Sequence, residues 1–136
     1  ALKKEIIKNN LESNFKLYSA IKHSDLECFF SKIDLFVFPT LFEESLGLVA
    51  LESMSFGVPV VGSKIGAIPE YIKDNKNGFL FDVNSASDLA MKINKYIQFS
   101  YSEKLRLSIG ARDASKLYEE NDNARDLVLE IKRVLL

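Results

Sequence analysis

Two carboxylates, Glu44 and Glu52, stand eight positions apart around the start of a predicted helix. A helix rises about 1.5 Å per residue, so a fully helical segment would separate them by about 12 Å along its axis. We expect Glu44 in the loop before the helix and Glu52 about two turns into it. The free amides of residues 45–48 lie between them, and helix-start amides carry a partial positive charge that binds phosphate. This order of groups suits a sugar, a diphosphate and a ribose.

The segment that carries this pair predicts a strand, a loop, a helix and a second strand. Residues 35–38 are a short apolar run stopped by Pro39, which is typical of a strand buried on both faces of a parallel sheet. The helix is predicted to start near Ser45, whose hydroxyl can cap the first turn. It is predicted to end at Gly57, which suits the left-handed residue after a helix, and residues 58–61 form the next strand.

The rest of the chain alternates in the same way, which indicates an α/β sheet of parallel strands. A capping box and apolar residues at helical spacing predict a core-facing helix over 24–33, and a strong turn signal precedes a strand at 79–81. The other predicted elements are a short N-terminal helix, a strand at 15–18, a short helix from Pro69, and helices from Ser85, over 102–119 and from 122 onward.

The composition is that of one globular domain, with 136 residues of which 47% are hydrophobic and 27% are charged. The net charge of −1 gives no basic field that would indicate nucleic acid as a partner. A single cysteine, Cys28, excludes an internal disulfide and a cysteine-based metal cluster. No apolar run approaches the roughly 20 residues of a transmembrane helix, and no signal-peptide pattern is present. We therefore expect a cytoplasmic protein, and the residue usage suggests a bacterial source.

The sequence Glu44-Ser-Leu-Gly-Leu-Val-Ala-Leu-Glu52, with residues 53–63 and Gly66-Ala-Ile-Pro-Glu70 after it, resembles a segment of family 4 (group 1) retaining glycosyltransferases. That family has the GT-B fold, in which the C-terminal of two Rossmann-like domains holds most of the nucleotide-sugar. The resemblance implies a Rossmann-like parallel sheet with flanking helices over residues 1–136, as part of this C-terminal domain. It also implies retaining glycosyl transfer from a nucleotide diphosphate sugar to an acceptor such as a cell-envelope or polysaccharide glycan, with no metal or other cofactor.

The resemblance assigns a role to each candidate site residue. Glu44 would be the catalytic residue that accepts hydrogen bonds from hydroxyls of the donor sugar, and Glu52 would hold the ribose hydroxyls. Gly66 would shape a loop near the nucleotide, although simple turn formation explains it equally well. Thr40 lies at the carboxyl end of a strand, where open α/β sheets bind ligands, although a role in leading into the helix is as good. The remaining donor-binding candidates are the capping residue Ser45 and the amides of Leu46, Gly47 and Leu48.

The resemblance places two strands and a phosphate-binding basic pair upstream of this chain. In a strand order of 3-2-1-4-5-6, their loss separates the strand at 15–18 from that at 35–38 and leaves open edges, which invite pairing with another chain. The chain also opens in a helical pattern without an initiator methionine. We therefore expect one partial domain whose partner is an upstream half of the enzyme, through which the enzyme would be peripheral to the membrane. We also expect self-association through the open edges and no turnover by this chain alone.

Other functions remain as alternatives. A phospho-receiver signalling module needs an aspartate at the carboxyl end of a strand, whereas Asp34 lies at the opposite end of its predicted strand. A non-catalytic interaction domain would keep the fold without the chemistry, but nothing in packing demands the two glutamates. A glycosidase is disfavoured because its two carboxylates flank one bond, about 5 to 9.5 Å apart, and come from different elements.

Overall fold

Three parallel strands in the order β1-β2-β3 form the sheet of this protein, and the computed structural model describes residues 2–118. Phe36 lies opposite Val60 in the first ladder, and Val60 lies opposite Gly78 in the second. This is the Rossmann-like parallel sheet that the sequence predicted. The elements in chain order are α1 (Leu2–Lys8), α2 (Leu26–Phe30), β1 (Phe36–Phe38), α3 (Leu48–Ser55), β2 (Val60–Ser63), α4 (Ile68–Tyr71), β3 (Gly78–Phe81), α5 (Ala86–Gln98) and α6 (Tyr101–Ser115), with 3-10 turns at Glu12–Asn14, His23–Asp25 and Lys116–Tyr118.

Helices cover both faces of the central strand β2, which explains why its sequence is apolar without alternation. Val60 belongs to a core cluster with Met54 of α3 and Ile68 of α4. Its neighbour Val61 faces the opposite side and belongs to a second cluster with Tyr96 of α5. Strand β1 is half-buried along its length and, within residues 2–118, has a strand neighbour on one side only.

The predicted end of α3 is confirmed, but its predicted start is wrong. Gly57 follows the helix with φ +77°, the left-handed conformation expected of it. The helix begins at Leu48 rather than near Ser45, and its N-cap is Gly47, with no side chain accepting a hydrogen bond. The glycine takes a left-handed conformation, so the chain turns sharply into the helix and leaves Ser45 exposed in the loop.

The strand predicted at residues 15–18 is absent. This segment has no regular structure, and Phe15, Leu17 and Tyr18 are 48%, 56% and 59% exposed. A strand is stable only when its backbone groups pair, and within residues 2–118 no strand lies on the outer side of β1. The alternating apolar pattern of 15–18 is therefore not sufficient to form a strand.

The predicted helix over 24–33 shortens to α2, although its core-facing side is confirmed. The capping box does not form, because the Ser24 hydroxyl donates to the Asp25 carboxylate instead, at 3.2 Å. Phe30 is 2% exposed and stacks on Phe56, with ring centroids 5.5 Å apart. Cys28 is exposed on the other side of the same helix.

The two long helices near the end of the described residues begin with serine caps. Ser85 caps α5, as predicted, by accepting a hydrogen bond from the Asp88 amide at 3.2 Å. Helix α6 begins at Tyr101 and ends at Ser115, so it is shorter than the predicted 102–119. The helix predicted from residue 122 onward lies outside the described residues. Among residues 2–118, no helix has the combination of length and apolar character that a membrane span requires.

Candidate functional site

A loop at the carboxyl end of β1 carries Glu44. The Thr40 hydroxyl, at the start of this loop, donates to Oε1 of Glu44 at 3.4 Å and accepts from the Phe42 amide at 3.2 Å. Thr40 thus stabilises the loop that leads into α3 and contacts the candidate catalytic carboxylate. The structure therefore brings these two candidate residues together.

Gly66 lies against the main chain of Glu44. It adopts φ +56°, and a Cβ atom there would lie 2.6 Å from the Glu44 carbonyl oxygen and 2.8 Å from its nitrogen. The next residue, Ala67, donates its amide to the same carbonyl at 3.1 Å. Gly66 therefore does more than form a turn, because only a residue without a side chain lets the two loops approach this closely.

The start of α3 leaves its backbone amides available. The Gly47 carbonyl accepts from the Ala50 amide at 2.9 Å, but among residues 2–118 no group accepts from the amides of 46–49. Leu48 and Val49 are exposed residues, and their amides lie at the positive end of the helix dipole. The amides without an acceptor are those of residues 46–49 rather than the predicted 45–48, because the helix begins at Leu48 and Ser45 does not cap it.

Gly47 also has a packing role that the sequence did not reveal. A Cβ atom at this residue would lie 2.8 Å from the Tyr71 hydroxyl oxygen and 3.1 Å from Cε1 of Phe38. These two aromatic side chains lie beneath the helix start, on the side that faces the core. The absence of a side chain at Gly47 is therefore required by the protein interior itself.

Tyr71 is the residue near this site that sequence reasoning missed. It is 3% exposed, and its hydroxyl has no hydrogen-bond partner among the described residues. Burial, followed by the nearby charge of Glu44 and then Tyr118, raises the pKa of Tyr71 to about 12. Its sequence context, a tyrosine in a short helix, is that of an ordinary core residue, so no local signal identified it.

Glu52 lies on one side of a cleft of about 550 Å³. The cleft is bounded by Val49 of α3, by Phe29 of α2 and by residues of the segment that precedes α2, including Tyr18 and His23. Glu52 is half-buried, so its carboxylate combines partial desolvation with access to a ligand. The structure therefore places the two predicted glutamates in different surroundings, one in a loop and one on a cleft wall.

Two further observations bear on the alternative functions. Asp34 precedes β1 and its carbonyl accepts a hydrogen bond from the Tyr96 hydroxyl, so it does not lie at the carboxyl edge that a phospho-receiver requires. Within the described part of the chain, no three His, Cys, Asp or Glu side chains are grouped as metal ligands would be.

Comparisons with known proteins identify the family to which the chain is similar. The family described as "Glycosyl transferases group 1" matches residues 1–116. A glycosyltransferase of Methanocaldococcus jannaschii, described as uncharacterized, is 29% identical over 95% of the chain and 35% of its own length. The N-acetyl-alpha-D-glucosaminyl L-malate synthase of Bacillus anthracis is 37% identical over 57% of the chain and 20% of its own length.

The fold is shared with solved structures. The HepE protein of Anabaena, solved in complex with UDP and glucose, superposes with a TM-score of 0.84 at 23% identity, over 98% of this chain and 35% of that one. The chain therefore spans about a third or less of the length of each of these proteins.

Proposed function

The chain belongs to the group 1 glycosyltransferases, and we propose that it carries the donor site of a retaining enzyme of that family. The reaction is transfer of a glycosyl group from a nucleoside diphosphate sugar to an acceptor, such as a cell-envelope or polysaccharide glycan. The relative named N-acetyl-alpha-D-glucosaminyl L-malate synthase and the neighbour solved with UDP and glucose support this class of substrate. The proposed enzyme works in the cytoplasm and needs no metal cofactor.

The observation that carries the proposal is the open start of α3 between Glu44 and the Glu52 cleft. The amides of residues 46–49 have no acceptor among the described residues and lie at the positive end of the helix dipole. A diphosphate bound there places a sugar on the side of the Glu44 loop and a nucleoside on the side of the cleft. These two neighbours provide acceptors for the hydroxyls of the sugar and of the ribose.

The chemistry that this arrangement supplies is stabilisation of the departing diphosphate. Negative charge develops on the leaving group as the glycosidic bond breaks, and oriented amides in a fixed position stabilise such charge. Glu44 accepts hydrogen bonds from the sugar and fixes the orientation of its reacting carbon. We propose that basic residues of an upstream half complete the site, so that this chain alone binds the donor without turning it over.

The outer edge of β1 is the proposed contact with that upstream half. Within residues 2–118 β1 has a strand neighbour on one side only, and an unpaired strand edge is a template for another strand. We propose that a second copy of the chain occupies this edge when the chain is studied alone. The upstream half is also the proposed route to a peripheral membrane location.

Calorimetric titration of UDP, GDP and ADP into the chain tests the donor site, with Glu52→Ala as the test variant. We expect one nucleotide to bind and the substitution to weaken its binding by about 1 to 3 kcal/mol, because the ribose hydroxyls lose their acceptor. Glu27→Ala, which removes an exposed glutamate of α2, is the matched control and should leave the affinity unchanged. Absence of binding, or equal effects of the two substitutions, would contradict the proposal.

A further inference from the structure

The Tyr71 hydroxyl is a buried polar group beside the proposed donor site, and it has no partner within residues 2–118. The hydroxyl makes no hydrogen bond among the described residues, and Tyr71 is only 3% exposed. A buried hydroxyl without a partner costs about 1 to 3 kcal/mol, and such groups are few in folded proteins. The position of Tyr71 therefore requires an explanation in terms of what the hydroxyl can bind.

The hydroxyl lies beneath both ends of the loop that holds Glu44. One end is Phe38 at the carboxyl end of β1, and the other is Gly47 at the start of α3. A Cβ atom at Gly47 would lie 2.8 Å from the Tyr71 hydroxyl and 3.1 Å from the Phe38 ring, so both aromatic side chains pack against Gly47. A change in the conformation of this loop therefore changes the surroundings of the Tyr71 hydroxyl.

Glu44 is the nearby group with acceptor capacity to spare. The one hydrogen bond that its carboxylate accepts among the described residues, from Thr40, is 3.4 Å long, which is at the weak limit for two oxygen atoms. The charge of Glu44 contributes to the raised pKa of Tyr71, which keeps the phenol protonated and able to donate. A phenol and a carboxylate form a short, charge-assisted hydrogen bond when they meet.

We propose that Tyr71 is a positioning residue of the donor site, whose hydroxyl donates to the Glu44 carboxylate when a sugar nucleotide is bound. This inference rests on the proposed function, in which Glu44 contacts the sugar. The bond fixes the direction of the carboxylate toward the sugar hydroxyls. Because it forms only in the bound state, it adds to the affinity for the sugar nucleotide and adds nothing to the stability of the free chain.

Tyr71→Phe removes the hydroxyl and keeps the ring that packs in the core. The probes are UDP and UDP-glucose, or GDP and GDP-mannose if the titrations show a preference for guanine. We expect binding of the sugar nucleotide to weaken by about tenfold, the loss of one charge-assisted bond, while binding of the nucleoside diphosphate stays unchanged. The melting temperature of the free variant should equal or exceed that of the wild type, because an unsatisfied group has been removed.

Tyr96→Phe is the matched control. Tyr96 is also buried, at 7% exposure, but its hydroxyl donates to the Asp34 carbonyl at 2.7 Å. This variant should melt at a lower temperature and bind both probes as the wild type does. Opposite outcomes for the two tyrosines would support the inference, because a purely structural role of Tyr71 would make them alike.

A double-mutant cycle tests the route through Glu44. In a Glu44→Ala background, Tyr71→Phe should cause no further loss of sugar-nucleotide affinity, because the acceptor is already gone. A further tenfold loss there, or equal weakening of both probes by Tyr71→Phe, would overturn the inference. If the wild type binds the sugar nucleotide and Tyr71→Phe binds it equally well, the inference about Tyr71 is wrong but the proposed function stands. If the wild type binds no nucleotide, both the inference and the proposed function are wrong.

Discussion

Helices α3 and α6 differ in whether the free backbone amides at their starts have hydrogen-bond acceptors. At α6, the Ser100 hydroxyl accepts from the Glu103 amide at 3.4 Å, and the Glu103 carboxylate accepts from the Ser100 amide at 2.8 Å. At α3, the cap is a glycine with no side chain, and no described residue accepts from the first amides. A helix start that closes on itself stabilises the fold, whereas one that stays open keeps its donors for a ligand.

The two starts also lie at different places in the fold. Helix α3 follows the loop at the carboxyl end of β1, the edge where open α/β sheets bind ligands. Helix α6 follows α5 after a short connection, away from that edge. Even α5, which follows β3, begins with a serine cap. The serine caps of α5 and α6 thus distinguish these two helices from α3, which begins without a side-chain cap, as do the short helices α2 and α4.

Gly47→Ala is expected to have the largest effect on this comparison. A residue with a side chain is disfavoured at φ +67°, and its Cβ would press on Tyr71, so we expect a loss of about 2 to 4 kcal/mol in unfolding free energy. Urea denaturation measures the loss. Gly57→Ala, at the other end of α3 and also at positive φ, should be comparably destabilising because its Cβ would lie 2.9 Å from the Ser108 hydroxyl.

Nucleotide binding separates these two glycine variants. Per folded molecule, Gly47→Ala should weaken binding because it displaces the amides at the helix start, whereas Gly57→Ala should leave it unchanged. Equal binding by both variants would mean that the start of α3 is an ordinary helix terminus.

Ser100→Ala is expected to have an intermediate effect. The substitution removes the side-chain cap of α6, and loss of such a cap costs about 1 kcal/mol of stability, which urea denaturation will detect. The same serine-to-alanine change at Ser45, which makes no side-chain hydrogen bond in the described structure, should stay within about 0.5 kcal/mol of the wild type. A cost at Ser45 equal to that at Ser100 would show that α3 is capped after all.

The smallest expected effect is the pH dependence of the closed start. Hydrogen bonds from the Ser100 hydroxyl and then its amide lower the pKa of Glu103. Because the folded pKa lies below the unfolded value, the stabilisation is present above the unfolded pKa of about 4.3 and is lost as the pH falls through the folded pKa.

The stability difference between wild type and Glu103→Gln should therefore be present at neutral pH and disappear in acid. Thermal unfolding over a pH series measures it, with Glu27→Gln as the control for loss of an exposed charge. A difference that does not change with pH would assign the role of Glu103 to packing.

The sequence was sufficient where a short stretch determines its own conformation. The left-handed Gly57 and the helix opened by Ser85 follow from residues close together in the chain, and both are present. The segment at 15–18 failed because a strand depends on a partner, and pairing is not encoded within the segment itself. The same limit applied to the start of α3, where Tyr71 lies beneath Gly47 from a distant part of the chain.

For the candidate site, the sequence supplied the candidate residues but not the contacts between them. Glu44, Thr40 and Gly66 were separate candidates, and the structure shows that Thr40 and Gly66 both contact Glu44. That Gly66 supports the main chain of Glu44 could not be predicted, because it is a contact between two loops. Tyr71 was missed for the same reason, since its unpaired hydroxyl becomes visible only when the interior is assembled.

The close approach of Gly66 to Glu44 has a consequence for how the site can diversify. The loop is held through main-chain atoms. The Ala67 amide donates to the Glu44 carbonyl, and Gly66 lies so close to Glu44 that a side chain at Gly66 would clash. Side chains such as Leu41 and Phe42, at 60% and 79% exposure, take no part in holding it. Exchange of these two side chains should therefore leave the main-chain contacts that hold the loop intact.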